Sequence, residues 1–185
     1  MKQRGLTNDE ICEAFVITRT KGETPELRNS KGSIFASGNV LYSYGLHYPL
    51  LAYVPASDSR PACWLLNSRK YSVTTSHHQS DAYRRARHTG LPVIDHYMTG
   101  HDYSISDVKP ARIKVRDEAL TAYLACKNPG TRPAFKALAA LESAQASLAE
   151  ICQFLGEPVP DLPEITPQQA ERLATTRVLL ALSVA

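Results

Sequence analysis

Between residues 34 and 54 the chain reads IFASGNVLYSYGLHYPLLAYV, and its apolar residues recur with a period near two. From residue 117 onward they recur every three to four. A period of two belongs to half-buried strands and a period of 3.6 to amphipathic helices. A chain that carries both patterns in separate blocks folds as α+β, with the sheet built first and helices gathered at one end of the sequence. Gly38-Asn39 and the region of Gly45 interrupt the alternation, which predicts antiparallel strands over about 33–37, 39–44 and 48–54, with a hairpin turn at Gly38-Asn39. PACWLLN at 61–67 adds a strand, and KYSVTT at 70–75 adds another after the Asn67-Ser68 turn. The expectation is a small antiparallel sheet of four or five strands, its alternating Tyr42, Tyr44, Tyr48, Tyr53 and Trp64 mostly core.

Helices flank this sheet. LTNDEICEAFV opens with Thr7 and Glu10 at capping-box spacing and puts Ile11, Ala14 and Phe15 on one face. Residues 19–33 are polar and rich in turn formers, and read as a loop. After the sheet, SHHQSDAYRRARHTG places Ser76 as N-cap, Gln79 three residues on and Gly90 as a stop, a second capped helix. The following stretch carries turns and a strand near 111–115. DEALTAYLACKN then reads as a helix halted at Asn128-Pro129-Gly130. A long helix follows with a seam of Ala134, Leu138, Leu141, Gln145, Leu148, Cys152 and Leu155, ended by Gly156. The prolines of EPVPDLPEITP stiffen the next connection. Thr166-Pro167 start a last helix whose increasingly apolar end predicts burial, against the long helix or in a homodimer contact between copies of the chain. The expected organisation is an αβ module over 1–116 and a helical region over 117–185.

The chain has 185 residues, 43% of them hydrophobic, enough to bury a core. No stretch approaches the ~20 apolar residues of a membrane span, and the basic start is not followed by the apolar run of a secretory leader, so a cytoplasmic protein without membrane contact is expected. Cys12, Cys63, Cys126 and Cys152 are widely spaced and read as reduced thiols. Charge is uneven: residues 60–88 hold six basic side chains against Asp81 alone, while residues 133–185 hold twice as many acids as bases. Only the basic region suits phosphates.

Arg69, Lys70, Tyr71, His77, His78, Arg84, Arg85 and Arg87 crowd into that basic segment, and they are the candidate contact residues. As a nucleic-acid grip, the arginines and the start of the helix meet phosphates while Tyr44, Tyr71 and Tyr83 stack. As an ordinary exposed helix, Asp81 pairs with Arg84 or Arg85 one turn on. A metal-free nuclease draws on His77 or His78 as base or acid, Arg84 as cation, and Thr74 or Ser76, with His47 nearby in type. Adjacent histidines point about 100° apart on a helix and do not chelate by themselves. A metal needs His47, His96, His101, Asp95 or Asp102, which show no recognised spacing. No triad signature, P-loop or dinucleotide fingerprint occurs, so neither a cofactor nor a metal is expected.

The segments VLYSYGLHYPLLAYV and WLLNSRKYSVTTSHHQSDAYRRA resemble a pattern found in small proteins of phages and plasmids, S-Y-G-x-H-[FY]-P followed by N-x-x-[RK]-Y-S-x-T-T-S and H-Q-S-x-x-x-R-R-A. The matching positions run from Ser43 to Pro49 and from Asn67 to Ala86, within a stretch of about 50 residues that the resemblance covers. The resemblance implies a mobile-element setting and a compact αβ module, and no activity. The expectations that follow are, first, a non-enzymatic interaction protein that binds a host defence or nucleic-acid-processing complex in an anti-CRISPR-like manner. The second is direct binding of DNA or RNA through residues 69–88, and the third a metal-free nuclease.

Overall fold

Gly38 makes the expected hairpin. It takes φ 59°, a conformation without penalty for a residue lacking Cβ, and Ser37 faces Val40 across the turn. The computed structural model describes residues 6–100 and 103–184, and the chain divides into two units between Ile105 and Ser106.

The first unit holds α1 (Asn8–Thr20), β1 (Leu27–Arg28), β2 (Ile34–Ser37), β3 (Val40–Ser43), β4 (Pro49–Val54), β5 (Cys63–Asn67), α2 (Val73–Arg87) and β6 (Val93–His96). The fold is α+β, and the sheet has six strands in chain order. Three features depart from the expected layout. β1 lies inside the expected loop. β5 and β6 pair in parallel, with Trp64 opposite Val93 and Asn67 opposite His96, so the sheet is mixed. Residues 70–75 form no strand. The Ser72 hydroxyl accepts from the Thr75 N–H at 3.2 Å, which caps α2 four residues earlier than Ser76 would and recruits β-branched Val73, Thr74 and Thr75 into its first turn. Ser76 sits inside the helix and donates to the Ser72 carbonyl at 2.9 Å. The β5–α2–β6 segment is therefore a βαβ unit.

α1 keeps its capping box between Thr7 and Glu10 and buries Ile11, Cys12, Phe15 and Val16. These pack with Leu41, Leu51, Trp64, Ala82 and Ala86 in one core, with Phe15 tilted against Trp64 at 5.8 Å. Ala82 and Ala86, fully buried, give α2 a flat inner face. That lets α1 and α2 lie together on the sheet.

The second unit is helical: α3 (Val108–Leu124), α4 (Arg132–Leu155) and α5 (Pro167–Val184). The expected strand near 111–115 is part of α3, which starts at Val108 with Pro110 in its first turn, where an absent N–H costs no helix bond. This start places the division ahead of residue 116. Gly156 closes α4 at φ 68°. Ala144 and Ile151 are buried alongside the expected seam, while its Gln145 and Leu155 are half-buried. Leu120, Tyr123, Leu138, Leu141 and Leu173 form the core. The end of α5 is not buried in this unit: Val178 is 59% and Leu182 70% exposed. No helix among the described residues is long and apolar enough to cross a membrane.

Candidate binding site at the carboxyl edge of the parallel strands

A βαβ unit brings the carboxyl ends of two strands and the start of the connecting helix to one edge of the sheet, the place where open α/β sheets receive ligands. In this chain that edge carries Asn67 at the end of β5, the loop 68–72, the first turn of α2 and His96 at the end of β6. Asn67, 1% exposed, uses its whole amide. Its Nδ2 donates to the carbonyls of Pro49 at 2.7 Å and Met98 at 3.1 Å, and its Oδ1 accepts from the N–H groups of Arg69 at 3.0 Å and Met98 at 3.1 Å. Gln79 reaches the same loop from α2: its Nε2 donates to the Asn67 and Arg69 carbonyls at 2.7 and 2.8 Å and to the Tyr48 hydroxyl at 3.1 Å. Tyr48 Oη also donates to the Arg69 carbonyl. The expected capping role of Gln79 is thus replaced by a clamp on residues 67–69.

His78 is buried on the other side of α2, and the direction of its hydrogen bonds can be traced. The Ile34 N–H donates to Asn29 Oδ1 at 3.3 Å, so Asn29 Nδ2 is the donor to Asn8 Oδ1 at 2.6 Å and to Ser33 Oγ at 2.8 Å. Asn8 Nδ2 then faces His78 Nε2 at 3.0 Å as donor, and His78 Nδ1 carries the proton toward Ser43 Oγ at 2.8 Å. His78 is neutral with its only lone pair occupied, and burial pushes it below the ordinary 6.5. Ser43 lies next to a donor, not a base. This polarity is the reverse of a nucleophile–base pair.

Arg84 and Arg85 are not free either. Arg84 Nη2 binds Asp9 Oδ1 at 2.8 Å and Asp81 Oδ1 at 3.0 Å; Arg85 binds both oxygens of Asp9 and Glu13 Oε1 at 2.9 Å. The Arg85 hydrogen bond, opposed by desolvation, holds the Asp9 carboxyl below its usual 3.8. Asp9 and Glu13 of α1 therefore neutralise most of the basic face read on α2. Asp81 pairs with Arg84, as the exposed-helix reading had it.

What remains open is a smaller surface. Arg69 lies 5.8 Å from the ring of Tyr71 and 5.8 Å from that of Tyr97, and Arg87 lies 5.6 Å from Tyr83. Tyr71 is 64% and Tyr97 59% exposed. Lys70, His77 and His47 are exposed as well. The structure brings Arg69 and Tyr71 together and adds Tyr97, which the sequence reading passed over; Arg84 and Arg85 belong to the α1 contact, and His78 to the interior. No group of three metal-ligating residues stands together among the described residues, and His101 and Asp102 lie outside them. Comparison with family models, with curated proteins and with solved structures finds no match.

Proposed function

We propose that this chain is a non-enzymatic binding protein whose contact surface is the edge formed by Arg69, Lys70, Tyr71 and Tyr97. The carrying observation is the guanidinium of Arg69 flanked by two exposed tyrosines on a loop clamped by Asn67 and Gln79. Tyrosine and arginine are the residues that dominate binding energy at protein interfaces, and a pre-ordered loop loses little entropy on binding. The partner we favour is a cytosolic host defence or nucleic-acid-processing complex, in keeping with the phage and plasmid pattern that Lys70 and Tyr71 match. Affinity purification from host cells tests it. Wild type should retain a defined partner that Arg69→Ala/Tyr71→Ala loses; identical recoveries overturn the reading.

Direct nucleic-acid binding is the second reading, favoured by Arg69, Lys70 and Arg87, none of which has an ion pair among the described residues, and by rings suited to base stacking. A titration with single-stranded and duplex DNA and RNA distinguishes the two, because phosphate contacts weaken steeply with salt. For a nuclease, the occupied lone pair of His78 argues against that residue as base. Self-association through the exposed end of α5 is read directly by light scattering.

A further inference from the structure

Beside the His78 network, on the opposite side of the α2 start from Gln79, opens a cavity of about 420 Å3, of the size that takes small ligands. Its lining includes Asn29, Ser30, Lys31, Tyr44, Thr74 and His78, and no carboxylate. Two kinds of group meet there. The inner ones are fully committed: Asn29 and His78 belong to the hydrogen-bond chain traced above, which makes that wall neutral and rigid. The outer ones are open. The Lys31 ammonium and the Ser30 and Thr74 hydroxyls have no partner among the described residues, and the Thr74 N–H, in the first turn of α2, has no helical acceptor. Every open group can donate a hydrogen bond, and Lys31 supplies the only formal charge of the lining.

Tyr44 completes the cavity. It is the sole non-glycine residue with positive φ among the described residues, 54°, a conformation that costs a tyrosine about 1–2 kcal/mol. That backbone stacks its ring on the buried His78 imidazole at 5.6 Å while 56% of the residue stays exposed. The cavity thus combines an open aromatic surface with donors gathered around one cation. An aliphatic carboxylate meets the donors and leaves the Tyr44 ring unused. A phosphate monoester of a planar heterocycle matches both halves.

We infer that this cavity binds a nucleoside monophosphate, free or at the end of a strand, with its phosphate on Lys31, Ser30 and Thr74 and its base on Tyr44. The site is separate from the Arg69 edge, and its test does not depend on the partner proposed above.

The test is an amide-resolved NMR titration of the full chain with uridine monophosphate, uridine, inorganic phosphate and a 5′-phosphorylated oligonucleotide. The monophosphate should shift the amides of residues 29–33, 44 and 73–78 saturably, with uridine at least about tenfold weaker because the charge is gone. Lys31→Glu should weaken the monophosphate by about tenfold or more with the remaining spectrum unchanged. Tyr44→Asn, which tolerates positive φ, should weaken the monophosphate while leaving phosphate affinity as it was. Tighter binding of the oligonucleotide assigns the site to strand ends, and equal binding assigns it to the free nucleotide. No saturable shift at about 10 mM, shifts confined to other surfaces, or a Lys31→Glu variant that binds normally overturns the proposal. Phosphate binding as tightly as the monophosphate overturns the role of Tyr44.

Discussion

Asn8→Asp inverts one link of the His78 chain while keeping its shape. Asn8 donates to His78 Nε2 and accepts from Asn29 Nδ2. A carboxylate in its place still accepts from Asn29, but its second oxygen faces Nε2 as an acceptor. His78 then donates from Nε2 to that oxygen, as the neutral tautomer with Ser43 Oγ donating to Nδ1 or protonated on both nitrogens, and the carboxylate charge favours the protonated form. A hydrogen-bonded carboxylate raises an imidazole pKa by about 1–3 units. Taking two units at about 1.4 kcal/mol each gives about 3 kcal/mol in favour of the charged form. Asp81, which raises the wild-type value, and His77, which lowers it, are common to both proteins and cancel in the comparison. The new carboxylate stands in the first turn of α1, where a negative charge is favourable.

The pH dependence of stability should therefore change sign. In the wild type the folded-state value of His78 lies below the unfolded 6.5. Its contribution is complete above pH 6.5 and is lost as pH falls toward the depressed value, because the unfolded chain binds the proton first. In Asn8→Asp the folded value lies above 6.5, so the contribution is complete below that pH and is lost as pH rises through the new value. Urea unfolding across this range, with the His78 Hε1 resonance followed by NMR, reads both effects. A variant whose His78 titrates no higher than the wild type's, or whose stability depends on pH as the wild type's does, refutes the assigned direction of the chain.

Asn67→Ala strips partners from two buried N–H groups and two carbonyls, which should cost about 3–4 kcal/mol in denaturant unfolding; a loss below about 1 kcal/mol contradicts the clamp. Asp9→Ala with Glu13→Ala releases Arg85 and leaves Arg84 with Asp81, so any nucleic-acid affinity should rise and the slope of log K against log salt should steepen by about one. An unchanged slope means that the α1 acids do not mask that face. Burial pushes the Cys12 thiol up to about 12 and the Cys63 thiol up to about 11, so a thiol reagent at neutral pH should label the half-exposed Cys126 before either. In the helical unit, Leu173→Ala should cost about 2–4 kcal/mol, and Leu182→Ala, on the exposed end of α5, less than about 0.5 kcal/mol by the same thermal unfolding.

The legibility of this chain followed the range of the interactions. The Thr7 and Glu10 capping box, the Gly38 hairpin, the Gly156 stop and the Thr166 start of α5 are each decided within a few residues, and each stands in the structure where the spacing put it. Local rules misled where two local rules competed. Ser72 and Ser76 both offer a capping hydroxyl, and the βαβ geometry takes the earlier one, at the expense of the strand that Val73, Thr74 and Thr75 favoured.

The α+β class, the capped helices and the crowding of cations and aromatics at residues 69–88 are written in the order of residues, because period, caps and turn glycines act between near neighbours. What those side chains are for depends on contacts made on folding. Asp9 and Glu13 meet Arg85 across more than seventy residues, Asn8 and Ser43 fix the proton of His78, and Tyr97 joins Arg69. A charge is neutralised or left open, and an imidazole is a base or a donor, according to partners that the chain brings together only when it folds.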